Sequence, residues 1–490
     1  MATTTPTTPK FYALVDYEDP YVEPLLLSAL QTHLPPKSFQ LISSLSDLPS
    51  PSTPFLQFRQ YEAIDFDHQL YHPSTSLANA YVIRKALIRK HYLSTTIANW
   101  IIKYPDSVLA RHVKPSVEFE VDYAEFLDDA LVEAWELKES WSRGEQSGEE
   151  GREWWILKPG MSERGQGIRL FSSEEELQAI FEEWDPESSD DEEEEEEDDA
   201  RSDRQNDNSD DADAEDGKMG NGIITSQLRH FIAQPYIHPP LLLYPPSPSS
   251  SSSSPSQSEL RKFHIRTYVL ATGALKIHVY RPMLALFAAA PYTSPSSSTF
   301  SPSTASEEER DRAMQAHLTN TCLQDPAKRD GSVGLFWDLP DQIPPQPSSS
   351  SSSGDHATTS TPEPKATEEE GKQTWKHKVF NQILATTSAT FEAAARGMSI
   401  HFQPLPNSFE VFGLDFMVSL DGDGGVRTWL LEVNAFPDFR QTGDELKGLV
   451  EGLFGGVVNV GVRPFFFGEE EREGKEGDMV KVLDIDLGRR

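Results

Sequence analysis

Residues 409–436, FEVFGLDFMVSLDGDGGVRTWLLEVNAF, constrain the fold of this chain more than any other stretch. Two strand-like runs flank DGDGG at 421–425, which is the turn chemistry of a tight hairpin. Residues two apart on a strand face the same way, so Glu432 and Asn434 share a surface. Closing the hairpin brings Asp415 opposite Glu432. Taken alone, a D…ExN pattern reads as an ordinary hairpin with its acids in water. Here Phe412, Leu414, Phe416, Leu430, Leu431 and Val433 surround the acids and predict a buried sheet, where unpaired carboxylates are costly. Two carboxylates and an amide oxygen in that setting suit a Mg²⁺ ion carrying nucleotide phosphates.

With 490 residues the chain has room for two or three domains and a large core. Its formal net charge of −36 is unevenly placed, because residues 185–216 hold nineteen acids and two bases. Such a block cannot bury enough apolar surface to order itself and reads as a solvated insertion. A strongly acidic chain argues against direct nucleic-acid binding. The single cysteine, Cys322, excludes an internal disulfide framework and a Cys-rich zinc site, and fits a reducing compartment. MATTTPTTPK lacks the apolar stretch of a secretory signal, and the longest apolar run, near 283–291, is too short to span a bilayer. The expectation is a soluble cytoplasmic protein with no membrane partner.

Phe11–Tyr17 reads as a strand, with a helix carrying Leu25, Leu26, Leu27 and Leu30 after Pro20. Helical stretches are expected at 76–104 and 122–141, and a strand, a glycine loop and a second strand across 153–171. Helix 375–397 ends at Gly397. Tracts rich in Ser, Pro, Thr or acid mark insertions into one architecture. The boundaries read as an N-terminal α/β domain at 1–145, a central domain at 150–292 with insertions at 185–222 and 245–258, a C-terminal domain at 306–465 with an insertion at 339–372, and a charged tail at 466–490.

Several other segments carry candidate chemistry. Lys158 ends an apolar strand before PGMSERGQG, where it can grip phosphate with help from Arg164 and the loop's N–H groups. Taken alone, this segment reads first as a simple β-turn with a surface lysine. The strand Gln234, Pro235, Tyr236, Ile237 can border an adenine edge or simply lie at a buried sheet edge. In KFHIRTYVLA, alternation puts Lys262, His264, Arg266 and Tyr268 on one face. Cationic or titratable groups side by side repel one another unless an anion compensates, and triphosphate or a substrate carboxylate would do so. The alternative is a solvated basic face. Thr319 and Asn320, in HLTN, are short polar ligands or a helix cap.

Together these pieces resemble the tubulin–tyrosine ligase-like family, whose members use the ATP-grasp fold. The matching stretches run in family order: RKALIRK (84–90), WILKPGMSERGQGI (155–168), FIAQPYIHPPLLL (231–243), KFHIRTYVL (262–270), HLTN (317–320), FGLDFMV (412–418) and LLEVNAFP (430–437). The resemblance implies an α/β (α+β) ATP-grasp fold that binds ATP and Mg²⁺. It implies that Lys85 and Lys158 contact phosphates, that Gln234–Ile237 borders adenine, and that Lys262 and His264 sit by the nucleotide. Arg266, Thr319 and Asn320 would lie near phosphate or substrate, and Asp415, Glu432 and Asn434 would hold Mg²⁺. Lys262, Arg266 and Glu432 would act in the transfer step. The likeness is greatest to fungal members, some of which associate with cytoplasmic mRNA-decay granules (P-bodies). Two positions depart from the family pattern. His264 stands where Asp is usual, and Leu286 where many members have an arginine. Two functions follow. One is an ATP-dependent carboxylate–amine ligase adding an amino acid to a protein such as tubulin, with Arg84–Lys90 as the steering face. The other is a nucleotide-binding interaction protein of mRNA-decay granules with weak or no turnover.

Overall fold

The computed structural model describes residues 9–148, 151–160, 165–184, 229–246, 259–320, 332–347, 374–421, 424–443, 445–468 and 478–488. Strands Phe11–Asp16 (β1), Phe39–Leu41 (β2), Phe55–Arg59 (β3) and Ser76–Ala78 (β4) form a parallel sheet in the order β2–β1–β3–β4. Parallel neighbours need a crossover, and helix Val22–His33 supplies the first. Its Val22, Leu25, Leu26, Ala29 and Leu30 are buried at the spacing of one helical face.

The helix expected over 76–104 is divided. Leu77 and Ala78 pair with Leu56 and Gln57 of β3, so sheet pairing overrides the helical period there. Helices Lys85–Ile88 and Lys90–Lys103 then meet at Arg89, whose extended backbone (φ −100°, ψ 122°) interrupts them. The stretch 122–141 is likewise divided into a 3-10 turn at Ala124–Phe126 and helices Leu127–Ala130 and Trp135–Ser147.

Val117–Glu120 (β5), Trp155–Pro159 (β6), Arg169–Phe171 (β7) and His230–Pro235 (β8) form an antiparallel sheet in the order β5–β8–β6–β7. Helices Trp135–Ser147 and Glu174–Trp184 cover it through a core that includes Phe119, Trp155, Phe181 and Phe231.

The largest sheet joins Leu242–Leu243 (β9), Arg261–Thr272 (β10), Lys276–Tyr280 (β11), Leu284–Phe287 (β12), Val333–Leu335 (β13), Phe409–Leu420 (β14), Val426–Ala435 (β15) and Met479–Asp484 (β16). β10 is its axis. β14 pairs along one edge over His264–Thr272, while β12 and β11 share the other. Odd-numbered Phe263, Ile265, Val269 and Ala271 belong to one core cluster with helix Trp375–Gly397. Even-numbered Tyr268 and Leu270 belong to a second, with the N-terminal sheet and the helical run Lys447–Phe467. That run is long and apolar enough to cross a membrane by composition, but 56% of its apolar window is buried, as in a core helix. The even positions at the start of the strand, Lys262, His264 and Arg266, are polar and line a cavity. The expected charged tail contributes β16, which pairs antiparallel with β11.

Candidate active site

The cavity, about 530 Å³, is lined by β6 and β8 of the antiparallel sheet and by β10, β14 and β15 of the large one. Ile156 and Gln234 are cross-strand partners, so Lys158, two residues on, shares the face of Gln234. Lys158 Nζ donates to Gln234 Oε1 (3.1 Å), and Gln234 Nε2 donates to the Lys114 carbonyl (3.2 Å). Lys262 Nζ donates to the Tyr236 hydroxyl (3.0 Å) and lies 4.3 Å above the centre of its ring. The same hydroxyl is 2.7 Å from His317 Nδ1. Burial pushes Lys158 down to about 8. Burial, with Lys158 close by, pushes Lys262 down to about 7.

Asp415 stands opposite both Arg266 of β10 and Glu432 of β15. Arg266 donates to it from Nε (2.5 Å) and Nη2 (3.0 Å). Asn434 Nδ2 bridges the two acids, 3.4 Å from Asp415 Oδ2 and 3.2 Å from Glu432 Oε1. Burial alone would raise Glu432, but Lys90, Lys158, the Asn434 hydrogen bond and Arg266 outweigh it and hold the carboxyl at about 2. Lys90 Nζ is 3.8 Å from Glu432 Oε2. His264 Nδ1 contacts Thr319 Oγ1 (2.6 Å), and burial lowers the pKa of its imidazole. The repulsion expected along Lys262, His264 and Arg266 is therefore largely relieved within the protein. Arg266 has a carboxylate, and burial favours the neutral forms of the other two.

Of the sequence candidates, Lys158, Gln234, Pro235, Tyr236, Ile237, Lys262, His264, Arg266, Thr319, Asn320, Asp415, Glu432 and Asn434 all line this cavity. Lys85 does not. It is exposed, and Lys90, Arg89 and Arg84 line the wall in its stead. The resemblance put Lys85 at the phosphates, but the extended residue Arg89 lets Lys90 rather than Lys85 face the cavity. Arg164 and Cys322 lie outside the described residues; beside Arg164, Gly165 (φ 81°) lines the cavity in a conformation that favours glycine. The Arg84–Lys90 segment is not an outer basic face. Arg84 is buried against Glu410 (Nε–Oε1 2.9 Å) and stacked 3.6 Å from the Tyr61 ring centre. His317 was not singled out by its sequence, and only its burial beside Tyr236 reveals it.

Leu286 is fully buried opposite His264 among apolar neighbours that include Leu284 and Tyr268. Arg281 is no substitute for a cation there. Its guanidinium lies 4.9 Å from the Trp337 ring centre and 5.5 Å from that of Phe380, at the margin of the core on the other side of the sheet.

The acid–amide trio fits a hard divalent ion. Asp415 and Glu432 offer two carboxylates; Asp415 Oδ2 accepts from both Arg266 Nη2 and Asn434 Nδ2, while Asp415 Oδ1 and Glu432 Oε1 each accept one hydrogen bond and keep a lone pair. Turning the Asn434 amide over would present its oxygen in place of Nδ2. Such a partial set leaves positions for water and phosphate oxygens, as Mg²⁺ sites usually do.

The model of the tubulin-tyrosine ligase family matches residues 84–337 and 346–470. The chain is 38% identical over 463 residues to a probable tubulin–tyrosine ligase of Schizosaccharomyces pombe, covering 94% of this chain and 93% of that protein. It is 37% identical over 472 residues to the probable tubulin–tyrosine ligase PBY1 of Saccharomyces cerevisiae, covering 95% of this chain but 54% of that protein, about half its length. Among solved structures it is similar to the C-terminal domain of K. lactis Pby1, described as an ATP-grasp enzyme interacting with the mRNA decapping enzyme Dcp2. That match has 34% identity and a TM-score of 0.61, and covers 97% of this chain and 99% of the other.

Proposed function

Since this chain belongs to the tubulin–tyrosine ligase family and has the ATP-grasp fold, we propose that it is an ATP-dependent ligase that joins an amino acid to a protein by an amide bond. One observation carries the reading: Lys158 and Lys262 face the same cavity as Asp415, Glu432 and Asn434. In the reaction a carboxylate oxygen attacks the γ-phosphorus of ATP and ADP leaves. An amine then attacks the acyl phosphate, its C–N bond forms, the C–O bond breaks and phosphate departs with the proton balance closed by solvent.

In this reading the triphosphate enters beside Lys158 and Lys262, and its charge restores their full protonation. Lys90 and Arg89 add cationic wall at the same end. Tyr236 and Ile237, with Ile156, Met417 and Leu431 nearby, offer an apolar slot for the base. Mg²⁺, held by Asp415, Glu432 and Asn434, would neutralise charge on the transferring phosphoryl group. Arg266 holds Asp415 aimed into the cavity with two hydrogen bonds, and fixed donors of this kind stabilise developing charge without reorganisation. The acceptor we favour is a protein carboxylate such as that of a tubulin tail, and the setting cytoplasmic.

A second reading has its own support. Leu286 leaves no cation beside His264 on β12, and the K. lactis relative is described as interacting with Dcp2. That favours a nucleotide-binding partner in mRNA decay with little ligase turnover. Calorimetry tests the shared site: Glu432→Gln should weaken MgATP binding about tenfold or more, roughly 1.4 kcal/mol. An ADP-release assay with an amino-acid panel and tubulin-tail peptides separates the two. Acceptor-stimulated release supports the ligase, and MgATP binding without it supports the partner.

A further inference from the structure

Away from the cavity, residues 123–137 break the pattern of a surface helix, which is apolar on one side only. Ala124, Leu127, Leu131, Ala134 and Leu137 are buried in the core of the antiparallel sheet. The outward ridge is apolar too. Tyr123 and Phe126 at the 3-10 turn, Val132 in the turn after the short helix and Trp135 opening the next helix are 50%, 48%, 57% and 72% exposed. The Tyr123 and Phe126 rings meet edge-on with centroids 6.2 Å apart. Glu125, Asp128, Asp129, Glu133 and Glu136 stand exposed among them. None of these five carboxylates forms an ion pair among the described residues.

We propose that this ridge docks a cationic, partly apolar peptide segment of a partner protein. Arginines of such a segment stack on Trp135 and on the Tyr123–Phe126 pair while their guanidinium groups reach the flanking carboxylates. Its aliphatic residues cover Val132. Charge selects this occupant over the others. A second copy of the chain packed symmetrically on the ridge would set acid against acid. The chain's own stretch after Trp184 re-emerges at Arg229, beside the ridge, where Arg229 Nε is 2.7 Å from Asp122. That stretch holds nineteen acids and two bases over 185–216, so it shares the sign of the ridge and makes a poor cover. Nucleic acid is repelled for the same reason. The proposal is independent of the ligase reading, because no residue of the ridge lines the nucleotide cavity.

Fluorescence anisotropy on the full chain tests it with three labelled 16-residue peptides: one of arginine and leucine, one of arginine and serine, and one of glutamate and leucine. The arginine–leucine peptide should bind at least tenfold tighter than the arginine–serine one, and the glutamate peptide should not bind. The double variant Phe126→Ser/Trp135→Ser should lose tenfold or more for the arginine–leucine peptide alone, with MgATP affinity and melting unchanged. If that variant melts early, Glu133→Lys/Glu136→Lys replaces it, with the same loss expected. Equal binding of the two arginine peptides would overturn the proposal, since bulk attraction to an acidic chain then suffices. So would wild-type affinity in the variants, or sedimentation showing a wild-type dimer that Phe126→Ser/Trp135→Ser dissolves.

Discussion

Arg266 and Asp415 face each other across β10 and β14, so each is held by the backbone register of the other. Both are buried, and breaking such a pair from one side strands a charge in the interior. Arg266→Ala should therefore cost roughly 3–5 kcal/mol in urea unfolding. A loss below about 1 kcal/mol would mean that Asp415 finds water or another cation. Lys158 and Lys262 act in the opposite sense. Burial places them at about 8 and about 7, below the ordinary 10.5. The unfolded chain then holds more protons between roughly pH 7 and 10.5, so the burial penalty is full below pH 7 and relieved as pH rises. Triphosphate reverses the shift, so nucleotide binding takes up protons. Calorimetry in buffers of different ionisation enthalpy should show net uptake at pH 8 that fades toward pH 6. Zero uptake at pH 8 would place both ammonium groups away from the phosphates. The opposition of Asp415 to Glu432 was legible in the sequence because a hairpin turn and a period of two determine it. The choice of Lys90 over Lys85 was not, because it depends on one extended residue between two helices.

At the scale of elements, β10 shows how one strand serves a core and a site together. Its odd face is apolar over most of its length, while its even face changes from Lys262, His264 and Arg266 to Tyr268 and Leu270. The alternation was legible, but that both faces are covered was not, since the covering helices lie more than a hundred residues downstream. The stretch 76–104 failed for a related reason. Its helical period is real beyond Lys85, yet Leu77 gains more from pairing with β3 than from another helical turn. β16 was missed because a six-residue strand within an acidic, glycine-rich tail has little local signal. Ending the chain after Asp478 would expose the outer edge of β11 and remove buried Met479. Losing one buried Met side chain alone costs about 1.5–3 kcal/mol, so a scanning fluorimetry melt should drop by several degrees, with more aggregation from the open edge. An unchanged melt would make β16 an ornament.

At the scale of the molecule, the cavity forms where the antiparallel sheet meets the large one, so no single segment contains it. Trp184 and Phe231, which lie on either side of residues 185–228 in sequence, pack in one core with Phe119 and Phe181, their rings stacked with centroids 6.0 Å apart. Replacing 186–228 by a short Gly–Ser linker should leave MgATP affinity within about twofold by calorimetry. A tenfold loss would show that the acidic stretch shapes the site. By itself the sequence determined what depends on near neighbours along the chain: the hairpin with its acid–amide trio, the strand–loop–strand around Lys158 and the composition of the insertions. The tertiary structure alone decided what depends on packing between distant segments. It turned Lys90 inward and Lys85 outward, locked Arg266 onto Asp415, and set His317 behind Tyr236. Local periodicity encodes which way a side chain points from its own element. Burial and charge pairing depend on the other elements that arrive against that side, and these are specified only when the whole core closes.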